Sequence, residues 1–420
     1  MRAAVSAAGI CGTIDAIPSK SFLHRALICA SLADAPTDIY CRSTCEDVDA
    51  TADCLRALGA SIEWKEGVFS VTPIRRQKQA FLQCRESGST LRFLLPLAAA
   101  LGTETVFEAQ GRLSDRPLSP LYEEMARHGV TLSENGVFPL RISGKLQAGE
   151  YVLSGGVSSQ FFTGLLLALQ LADGPSVLRI EGKLESAPYV YLTLRMLDRF
   201  GIRVEYENGE MRIVPSAFRS PGRIVAEGDW SNSAFWLAGG VLSGNVSVRG
   251  LHRDSTQGDR AVEELLRRMG GALEWQGDLL TASRSELHGI DVDASQIPDL
   301  VPILAVTAAF ASGTTRITGA ARLKLKESDR IRSVCELIRA IGGTCVPNDD
   351  GMTITGTPEL RGGNADAFGD HRIAMSAAIA SCRCREPVVL SGAESTRKSY
   401  PGFWEDFENA GGKVCFLSEK

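Results

Sequence analysis

A glycine that ends an amphipathic helical stretch recurs six times along the 420-residue chain. The six glycines are Gly59, Gly129, Gly201, Gly270, Gly342 and Gly411. Their successive separations are 70, 72, 69, 72 and 69 residues, and 420 divided by six is 70. Glycine is favoured just after a helix because the left-handed conformation needed there carries no β-carbon penalty. The spacing therefore predicts six copies of one repeated unit.

Each unit shows the same order of secondary-structure signals. After most of the glycines comes a strand of period two, a tight turn and a second strand; the turns are 65–67, 134–136, 207–209 and 349–351. Earlier in each unit, a strand leads into a turn rich in Ser, Gly or Pro and then an apolar helix; these turns are 18–21, 86–90, 157–160, 230–233, 297–299 and 369–372. Such turns carry N-cap signals. The predicted order is βαβαββ, and the sixth copy stops in its strand region at 414–417.

The length of the chain favours two domains of three units each, because a single core of 420 residues is uncommon. The predicted fold class is α/β, or α+β, with two similar globular domains. If the copies are arranged symmetrically, several helix N-termini face a common centre. Their unpaired N–H groups and partial positive charge predict an anion-binding centre.

Composition and short motifs exclude several classes of protein. A net charge of −5 argues against a nucleic-acid or anionic-membrane binder. The longest apolar runs, such as 300–311, are too short to cross a bilayer, and residues 1–10 lack the apolar core of a signal peptide. Eleven cysteines without a C-x-x-C pair indicate a reducing cytoplasm and no structural metal. Neither a G-x-G-x-x-G nor a Walker A sequence occurs, so no cofactor motif is found.

Eight cations stand at or near predicted helix starts, where the helix dipole disfavours positive charge. They are Lys20, Arg25, Arg92, Arg116, Lys326, Arg330, Arg372 and Lys398. For any one of them, a solvated or salt-bridged surface residue is the simpler interpretation. Eight of them in related turns instead favour two multiply charged ligands side by side, since Arg binds phosphate and carboxylate with a planar fork.

Two carboxylates within the same motifs are candidates for the chemistry. Asp299 follows a proline at a predicted helix start and could equally be an N-cap. Glu327 precedes another start, where a carboxylate could simply complement the helix dipole. A carboxylate among cations has a low pKa and suits a base, whereas an acid must be desolvated or coupled to another carboxylate. The sequence leaves open which description fits which residue.

Taken together, nine motifs closely resemble the 5-enolpyruvylshikimate-3-phosphate synthase family, from Gly12 to Pro401. They surround Lys20 and Arg25, Gly88 and Arg92, Arg116, Ser158 to Gln160, Ser186 to Tyr189, Asp299, Lys326 to Arg330, Asp370 to Arg372, and Lys398. The resemblance implies an inside-out α/β barrel fold with two domains. It places domain I at 1–18 plus 228–420 and domain II at 19–227, with hinges near 18–20 and 226–229.

The resemblance also implies an activity. The enolpyruvyl group of phosphoenolpyruvate is expected to move to the 5-hydroxyl of shikimate 3-phosphate, with release of phosphate and without metal or organic cofactor. The partners expected are these two small molecules, with no nucleic acid and no membrane, and the protein is expected to be a cytoplasmic monomer. Asp299 would accept the hydroxyl proton, Glu327 would protonate the methylene carbon, and Lys20 would complete the catalytic set.

Binding residues follow from the same resemblance. Those expected to hold shikimate 3-phosphate are Lys20, Ser21, Arg25, Ser158, Ser159, Gln160, Ser186, Asp299 and Lys326. Those expected to hold phosphoenolpyruvate are Lys20, Gly88, Arg116, Gln160, Arg330, Arg372 and Lys398. Tyr189 is expected to wall the pocket. The chain departs from the family pattern at Glu86, where many members have Asn, and at Arg322, where some have Asn.

Three other interpretations share parts of this pattern. The enolpyruvyl transferase that acts on UDP-N-acetylglucosamine has the same six-unit fold, but it normally has Lys-Asn near its N-terminus and a Cys in a loop near the Arg116 segment. Here the N-terminal motif is Pro-Ser-Lys-Ser, and 111–120 contains no Cys. A non-catalytic phosphosugar-binding protein would be favoured by loss of Asp299 or Glu327. An RNA 3′-phosphate cyclase-like enzyme should have a catalytic His and an ATP site.

Overall fold

The computed structural model describes residues 1–417, which form twelve α-helices and 24 β-strands. The strands are β1 (Arg2–Ser6), β2 (Cys11–Asp15), β3 (Thr37–Tyr40), β4 (Ser61–Lys65), β5 (Val68–Thr72), β6 (Gln79–Gln83), β7 (Glu104–Glu108), β8 (Val130–Leu132), β9 (Leu140–Gly144), β10 (Glu150–Ser154), β11 (Ser176–Glu181), β12 (Glu205–Glu207), β13 (Glu210–Ile213), β14 (Arg223–Val225), β15 (Asn245–Arg249), β16 (Ala272–Gln276), β17 (Leu279–Ser283), β18 (Asp291–Asp293), β19 (Thr314–Thr318), β20 (Thr344–Asn348), β21 (Gly351–Thr355), β22 (Gly363–Asp366), β23 (Val388–Ser391) and β24 (Lys413–Leu417). The α-helices are α1 (Lys20–Leu32), α2 (Glu46–Ala57), α3 (Gly88–Leu101), α4 (Leu121–Arg127), α5 (Ser159–Ala168), α6 (Ala187–Arg199), α7 (Trp230–Ser243), α8 (Val262–Arg268), α9 (Val301–Ala309), α10 (Arg330–Ala340), α11 (His371–Ala380) and α12 (Phe403–Asn409).

Contacts between residues divide the chain into two compact units. One comprises residues 1–17 and 227–420 and is called here the terminal unit, and the other comprises residues 18–226 and is called the internal unit. The crossings lie between 17 and 18 and between 226 and 227, so the terminal unit contains both ends of the described chain. That these units act as domains with hinges near 18–20 and 226–229 stays a prediction.

Six four-stranded sheets follow one topology. The internal unit has the orders β14-β3-β5-β4, β6-β7-β9-β8 and β10-β11-β13-β12, and the terminal unit has β2-β15-β17-β16, β18-β19-β21-β20 and β22-β23-β1-β24. In every sheet the first two strands run parallel and the remaining neighbours are antiparallel. A parallel pair needs a crossover connection, which one α-helix supplies in four of the six sheets. The six-fold repeat predicted from the glycine spacing is confirmed.

The N-terminal strands complete sheets that the repeat order alone leaves short. β1 occupies the third place of the last sheet, with Ala3 opposite Leu390 on one side and Phe416 on the other. It therefore replaces the strand that the sixth copy lacks in sequence. β2 pairs in parallel with β15, and β14 pairs in parallel with β3, so the first and fourth copies exchange their leading strands at the two crossings.

All six repeat glycines adopt the left-handed backbone expected after a helix, with φ between 79° and 106°. The tight turns also form where predicted at 66–67 and 208–209, between β4 and β5 and between β12 and β13. The tight turn predicted at 134–136 also forms, since the Val137 N–H donates to the Glu134 backbone oxygen at 3.2 Å and Gly136 has φ 79°; it lies within a longer connection, 133–139, between β8 and β9.

The cores are built on helices that are apolar on nearly every side. In the terminal unit, α7, α9 and α11 pack on one another, and in the internal unit α3 packs on α5. The second contact is close because α5 carries Gly164, where a Cβ would lie 2.3 Å from the backbone oxygen of Arg92 in α3. Pro96 has no N–H to bond that oxygen within the helix. Gly164 and Pro96 therefore allow the middle of α5 to lie close to Arg92 in α3.

None of the helices in residues 1–417 is both long enough and apolar enough to cross a lipid bilayer.

Candidate active site

In the terminal unit, one buried guanidinium gathers three carboxylates. Arg330, the first residue of α10, is 1% exposed. Its Nε donates to Asp370 Oδ2 at 2.8 Å, its Nη1 donates to Asp299 Oδ1 at 2.7 Å, and its Nη2 donates to Glu327 Oε2 at 2.8 Å. Nη2 also donates to Asp370 Oδ1 at 3.3 Å. Four of the five N–H groups of Arg330 are therefore bonded to carboxylates. We call Arg330 and these three carboxylates the Arg330 cluster.

Asp370 anchors the Arg330 cluster from the start of α11. Its carboxylate is fully buried, caps the helix by accepting from the Arg372 backbone N–H, and accepts from Ser328 Oγ at 3.1 Å. Burial alone would raise the pKa of Asp370, but the positive charges of Arg330 and His371 lower it below its usual range. Asp370 therefore stays ionised and fixes Arg330 between α10 and α11.

Asp299 is surrounded by cations rather than serving as an N-cap. α9 begins at Val301 and has Leu300 at its cap position without a side-chain bond. Besides Arg330, the Asp299 carboxylate contacts Arg372 Nη2 at 3.3 Å and Lys326 Nζ at 3.6 Å. Burial raises the pKa of Asp299, but Arg372, Lys326 and Arg330 outweigh burial and hold the pKa well below its usual value. Asp299 is thus a charged carboxylate that can accept a proton.

Glu327 also differs from the simpler interpretation of a first-turn carboxylate. It lies three residues before α10 begins, and Asp329 is the cap of that helix. Its side chain is 20% exposed and contacts Arg330. One guanidinium therefore holds both candidate catalytic carboxylates, each partly open to solvent, since Asp299 is 19% exposed.

Three further cations border the Arg330 cluster. Lys326 is 23% exposed, and burial lowers its pKa to about 8; attraction from Asp299 opposes this lowering, and repulsion from Arg330 adds to it. Arg372 Nη1 donates to the Asp299 backbone oxygen at 3.1 Å, and Lys398 Nζ donates to the Gly369 backbone oxygen at 2.7 Å. The Lys398 amine is therefore placed next to the α11 start. Arg322, one of the two positions at which the chain departs from the family pattern, donates to the Ser295 backbone oxygen at 2.7 Å.

In the internal unit, Arg25 is a buried cation bonded to neutral oxygens. Its guanidinium donates to Thr193 Oγ1 at 2.8 Å, to Thr163 Oγ1 at 3.1 Å and to the backbone oxygens of Ser21 and Tyr189 at 2.7 and 2.9 Å. Burial lowers the pKa of Arg25 to about 10, so it remains protonated at neutral pH. Within residues 1–417 no carboxylate is paired with this guanidinium, and its charge is left for an anionic ligand.

Gln160 lies between two helix starts of the internal unit. Ser158 caps α5, with its Oγ accepting from the Gln160 N–H at 3.2 Å. The Gln160 amide accepts from Arg92 Nη1 at 2.7 Å and donates to Ser89 Oγ at 3.0 Å. Ser159, the first residue of α5, is 6% exposed. These bonds fix the α5 start against α3.

Gly88 provides the space that Arg116 occupies. A Cβ at Gly88 would lie 2.7 Å from Arg116 Nη1 and 3.0 Å from its guanidinium carbon. The guanidinium therefore lies directly over the first residue of α3. Glu86, the other position that departs from the family pattern, lies over Gly111, where a Cβ would be 2.1 Å from Glu86 Oε1. Any larger residue at 88 would displace Arg116.

Lys20 begins α1 and is held by a carboxylate from α2. Its Nζ lies 2.7 Å from Asp47, and both side chains are about one-sixth exposed, at 16% and 15%. Behind this pair runs a buried chain of hydroxyls, with His24 Nδ1 bonded to Thr51 Oγ1 at 2.7 Å and Thr51 bonded to Thr90 Oγ1 at 2.6 Å. Burial, together with Lys20 and Arg25, lowers the pKa of His24, so its imidazole is neutral. This chain ties α1, α2 and α3 together beneath Lys20.

Ser186 occupies an uncommon backbone conformation. It precedes α6 with φ 52° and ψ 37°, in the left-handed region, and is 3% exposed. A non-glycine residue held there stores strain, which is typical of functional positions. Its carbonyl accepts from the Tyr189 N–H at 3.0 Å, and the Tyr189 carbonyl in turn accepts from Arg25.

Two features of the site differ from the sequence-based expectation. Arg116, Lys326 and Lys398 do not begin α-helices; they lie at the ends of 3₁₀ helices at 111–115, 321–325 and 393–398. Cations are favoured at that end of a helix.

The side chains that orient the cations were also missed, namely Asp47, Thr163, Thr193, Ser328 and the buried Asp370. Asp370 belongs to one of the nine sequence motifs, but the sequence pattern did not indicate which residue it would contact.

Comparison with solved structures identifies the fold as the enolpyruvyl transferase fold. An EPSP synthase from Acinetobacter baumannii aligns with a TM-score of 0.80 and 26% identity, over 99% of this chain and 100% of that chain. The enolpyruvyl transferase NikO from Streptomyces tendae aligns with a TM-score of 0.78 at 19% identity, over 99% of this chain and 98% of that chain, and supports the fold alone.

Sequence comparison narrows the class to one family. The family described as EPSP synthase (3-phosphoshikimate 1-carboxyvinyltransferase) matches residues 6–407. The 3-phosphoshikimate 1-carboxyvinyltransferase of Clostridium kluyveri is 42% identical over 407 residues, and that of Clostridium acetobutylicum is 40% identical over 411 residues. Each alignment covers 96% of this chain and 96% of the relative. The chain belongs to the EPSP synthase family.

Proposed function

We propose that the chain transfers the enolpyruvyl group of phosphoenolpyruvate to the 5-hydroxyl of shikimate 3-phosphate. A bond forms between the 5-oxygen and C2 of phosphoenolpyruvate, the methylene carbon gains a proton, and a tetrahedral adduct results. Loss of that proton and cleavage of the bond from C2 to the phosphate oxygen then give 5-enolpyruvylshikimate 3-phosphate and phosphate. Family membership supports this reaction over the sugar-nucleotide, binding-protein and RNA-cyclase alternatives.

The observation that carries the proposal is the shared attachment of Asp299 and Glu327 to Arg330. In this proposal, Asp299 accepts the 5-hydroxyl proton and Glu327 delivers a proton to the methylene carbon. Protonation of the enol leaves positive charge at C2, which nearby carboxylates stabilise. Asp299 is available to accept a proton because Arg372, Lys326 and Arg330 lower its pKa despite its burial and so keep its carboxylate ionised.

The remaining residues divide between the two substrates as the family resemblance implies. Shikimate 3-phosphate is assigned to Lys20, Ser21, Arg25, Ser158, Ser159, Gln160, Ser186, Asp299 and Lys326. Phosphoenolpyruvate is assigned to Lys20, Gly88, Arg116, Gln160, Arg330, Arg372 and Lys398. The uncompensated charge of Arg25 supports its assignment to an anion. Arg330 has one N–H left to offer, since four already bind carboxylates.

Phosphate release from phosphoenolpyruvate by the purified protein tests the reaction. We expect release with shikimate 3-phosphate as the acceptor and none with UDP-N-acetylglucosamine. Release with the sugar nucleotide alone would overturn the acceptor, and a folded protein that is silent with both would favour a binding role. We also propose that the protein is a cytoplasmic monomer, and light scattering on the eluting protein tests its oligomeric state.

The binding of shikimate 3-phosphate should weaken above about pH 8. Burial lowers the pKa of Lys326 to about 8, so Lys326 loses its charge as the pH rises through that value. A charge-assisted hydrogen bond contributes about 1.5–3 kcal/mol, so we expect affinity to fall about tenfold or more once Lys326 is neutral. The control is Lys326→Arg, in which residue 326 stays charged. Calorimetric titration with shikimate 3-phosphate should show that the affinity of this variant depends less on pH than that of the wild type. Parallel profiles for the two proteins would contradict the role of Lys326.

A further inference from the structure

Two buried hydroxyl groups hold the Arg25 guanidinium in the internal unit. Thr163 lies in α5 and Thr193 lies in α6, and both side chains are fully buried. Arg25 Nε donates to Thr193 Oγ1 at 2.8 Å, and Nη2 donates to Thr163 Oγ1 at 3.1 Å. The two hydroxyls also bond each other at 2.8 Å. Helices α1, α5 and α6 therefore meet at this guanidinium, and we call Arg25 with the two threonines the Arg25 cluster.

The hydroxyl hydrogens of the Arg25 cluster can be assigned from donor capacity. Thr193 Oγ1 donates to the Tyr189 backbone oxygen at 3.0 Å, which uses the single hydrogen of that hydroxyl. Thr163 is therefore the donor in its bond to Thr193, since a hydroxyl that has given its hydrogen can only accept. Thr193 thus accepts two hydrogen bonds, from Thr163 and from Arg25, and donates one. Its hydrogen-bonding capacity is complete, which fixes its orientation toward Arg25.

The same bonds leave one donor of Arg25 for a ligand. Nη1 donates to the Ser21 backbone oxygen at 2.7 Å, and Nη2 also donates to the Tyr189 backbone oxygen at 2.9 Å. With the bonds to the two threonines, four of the five N–H groups are used, one from Nε, one from Nη1 and two from Nη2. Within residues 1–417, the second N–H of Nη1 has no protein acceptor, so it is available to a bound molecule.

The charge of the Arg25 cluster distinguishes it from the Arg330 cluster. Each guanidinium uses four N–H groups, but Arg330 gives them to carboxylates, whereas Arg25 gives them to hydroxyl and backbone carbonyl oxygens. A carboxylate partner cancels positive charge, and a neutral oxygen orients the guanidinium without cancelling it. Arg25 is only 2% exposed, and a buried charge without a counter-ion is costly to maintain. This arrangement is suited to a site in which the ligand supplies the counter-ion.

The Arg25 cluster is also joined to the turn that precedes α6. The Tyr189 backbone oxygen accepts from both Arg25 and Thr193, and the Tyr189 N–H donates to the Ser186 backbone oxygen at 3.0 Å. Ser186 is the residue with the left-handed backbone that is assigned to shikimate 3-phosphate. The hydroxyl of Thr193 therefore contacts both Arg25 and the turn that carries a second residue assigned to the same substrate.

We infer that Thr163 and Thr193 are positioning residues for shikimate 3-phosphate: their hydroxyls hold the Arg25 guanidinium without neutralising it, so that its charge and one Nη1 N–H are left for an anionic group of this substrate. This inference rests on the proposed function, in which Arg25 binds shikimate 3-phosphate. The two threonines make no contact with the substrate in this scheme. They act through Arg25.

Thr193→Val tests the inference, because valine has nearly the shape of threonine but cannot bond Arg25. In calorimetric titration, we expect the Kd for shikimate 3-phosphate to rise about tenfold or more, since a hydrogen bond from a charged donor is lost and Arg25 is no longer fixed. In the phosphate-release assay, KM for shikimate 3-phosphate should rise by a similar factor with kcat unchanged, as for an interaction that binds substrate and transition state equally.

Two matched variants separate the hydroxyl from the rest of the side chain and from burial in general. Thr193→Ser retains the hydroxyl and should restore the affinity of the wild type. Thr105→Val removes a buried hydroxyl of the same unit, which donates to the Thr103 backbone oxygen at 2.9 Å, and should leave the affinity unchanged.

A double-mutant cycle with Arg25→Met shows whether Thr193 acts through Arg25. If it does, Thr193→Val should weaken the binding of shikimate 3-phosphate in the wild-type background and add little to the loss already caused by Arg25→Met. An equal additional loss in both backgrounds would mean that the hydroxyl acts by another route, which would overturn the inference.

A purely structural role for the two threonines would give a different pattern. Thr193→Val would then melt at a lower temperature but bind shikimate 3-phosphate as the wild type does. That result, or a Thr193→Ser variant that binds as weakly as Thr193→Val, would overturn the inference and leave the proposed reaction intact. If Thr193→Val does not fold, Thr163→Val, which removes a single bond to Arg25, provides the same test. Absence of both binding and phosphate release in the wild-type protein would instead overturn the proposed function itself.

Discussion

Arg330→Met should destabilise the terminal unit by about 3–5 kcal/mol, because it leaves buried carboxylates without their cation. Asp370 is fully buried, and Asp299 and Glu327 would lose their shared donor at the same time. For a unit of this size, the loss corresponds to a fall in melting temperature of about 10 °C. Calorimetry of the whole chain measures the transition, and activity should disappear with the geometry of the Arg330 cluster.

Arg332→Met is the matched control for this prediction. Arg332 lies two residues along the same helix, but its side chain is 73% exposed and its pair with Glu336, at 2.6 Å, is a surface ion pair. Such exposed pairs contribute little to stability, because solvent screens them. If the two variants lose similar stability, the Arg330 cluster does not hold α10 and α11 together in the way described here.

The stability difference between wild type and Arg330→Met should depend on pH in one direction. Burial raises the pKa of Asp370, but the charges of Arg330 and His371 lower it by a larger amount. The pKa of Asp370 in the folded protein therefore lies below the unfolded value of about 3.9. A depressed carboxyl pKa contributes stability above the unfolded value and loses it as pH falls through the folded value. Melting curves of the two proteins should therefore approach each other below about pH 4. A constant difference down to pH 2 would contradict this account.

The architecture was predictable because a repeat leaves local signals. Left-handed glycines such as Gly59 and Gly270, and N-caps such as Ser87 and Ser158, are set by a few neighbouring residues. The strand exchange was not predictable in this way. β1 pairs with β23 and β24, nearly the whole length of the chain away, and no periodic pattern encodes that pairing.

The site was predictable only in its residue types. The motifs singled out Asp299, Glu327 and Arg330, yet pattern alone gave Asp299 an equal chance of being an N-cap. What distinguishes it is the contact with Arg372, contributed by a helix more than 70 residues later. Cations from distant segments are what hold the pKa of Asp299 well below its usual value.

Glu327→Gln should lower kcat by about 10²–10⁴-fold, the usual contribution of a positioned general acid. The amide oxygen can still accept from Arg330 Nη2, which lies 2.8 Å from the Glu327 carboxylate, so the Arg330 cluster should keep its shape. What the amide cannot do is deliver a proton to the methylene carbon. Phosphate release measures the overall rate, and calorimetry should show unchanged affinity for shikimate 3-phosphate.

Isotope exchange isolates the proton transfer itself. Protonation of the methylene carbon makes a methyl group, which can return a different hydrogen when the adduct reverts, so phosphoenolpyruvate should take up deuterium from heavy water in the presence of shikimate 3-phosphate. Proton NMR should show this exchange in wild type and in the control Glu336→Gln, a partly exposed carboxylate on α10, but not in Glu327→Gln. Exchange that persists in Glu327→Gln would assign the proton to another group, and Lys20 would then be the next residue to replace.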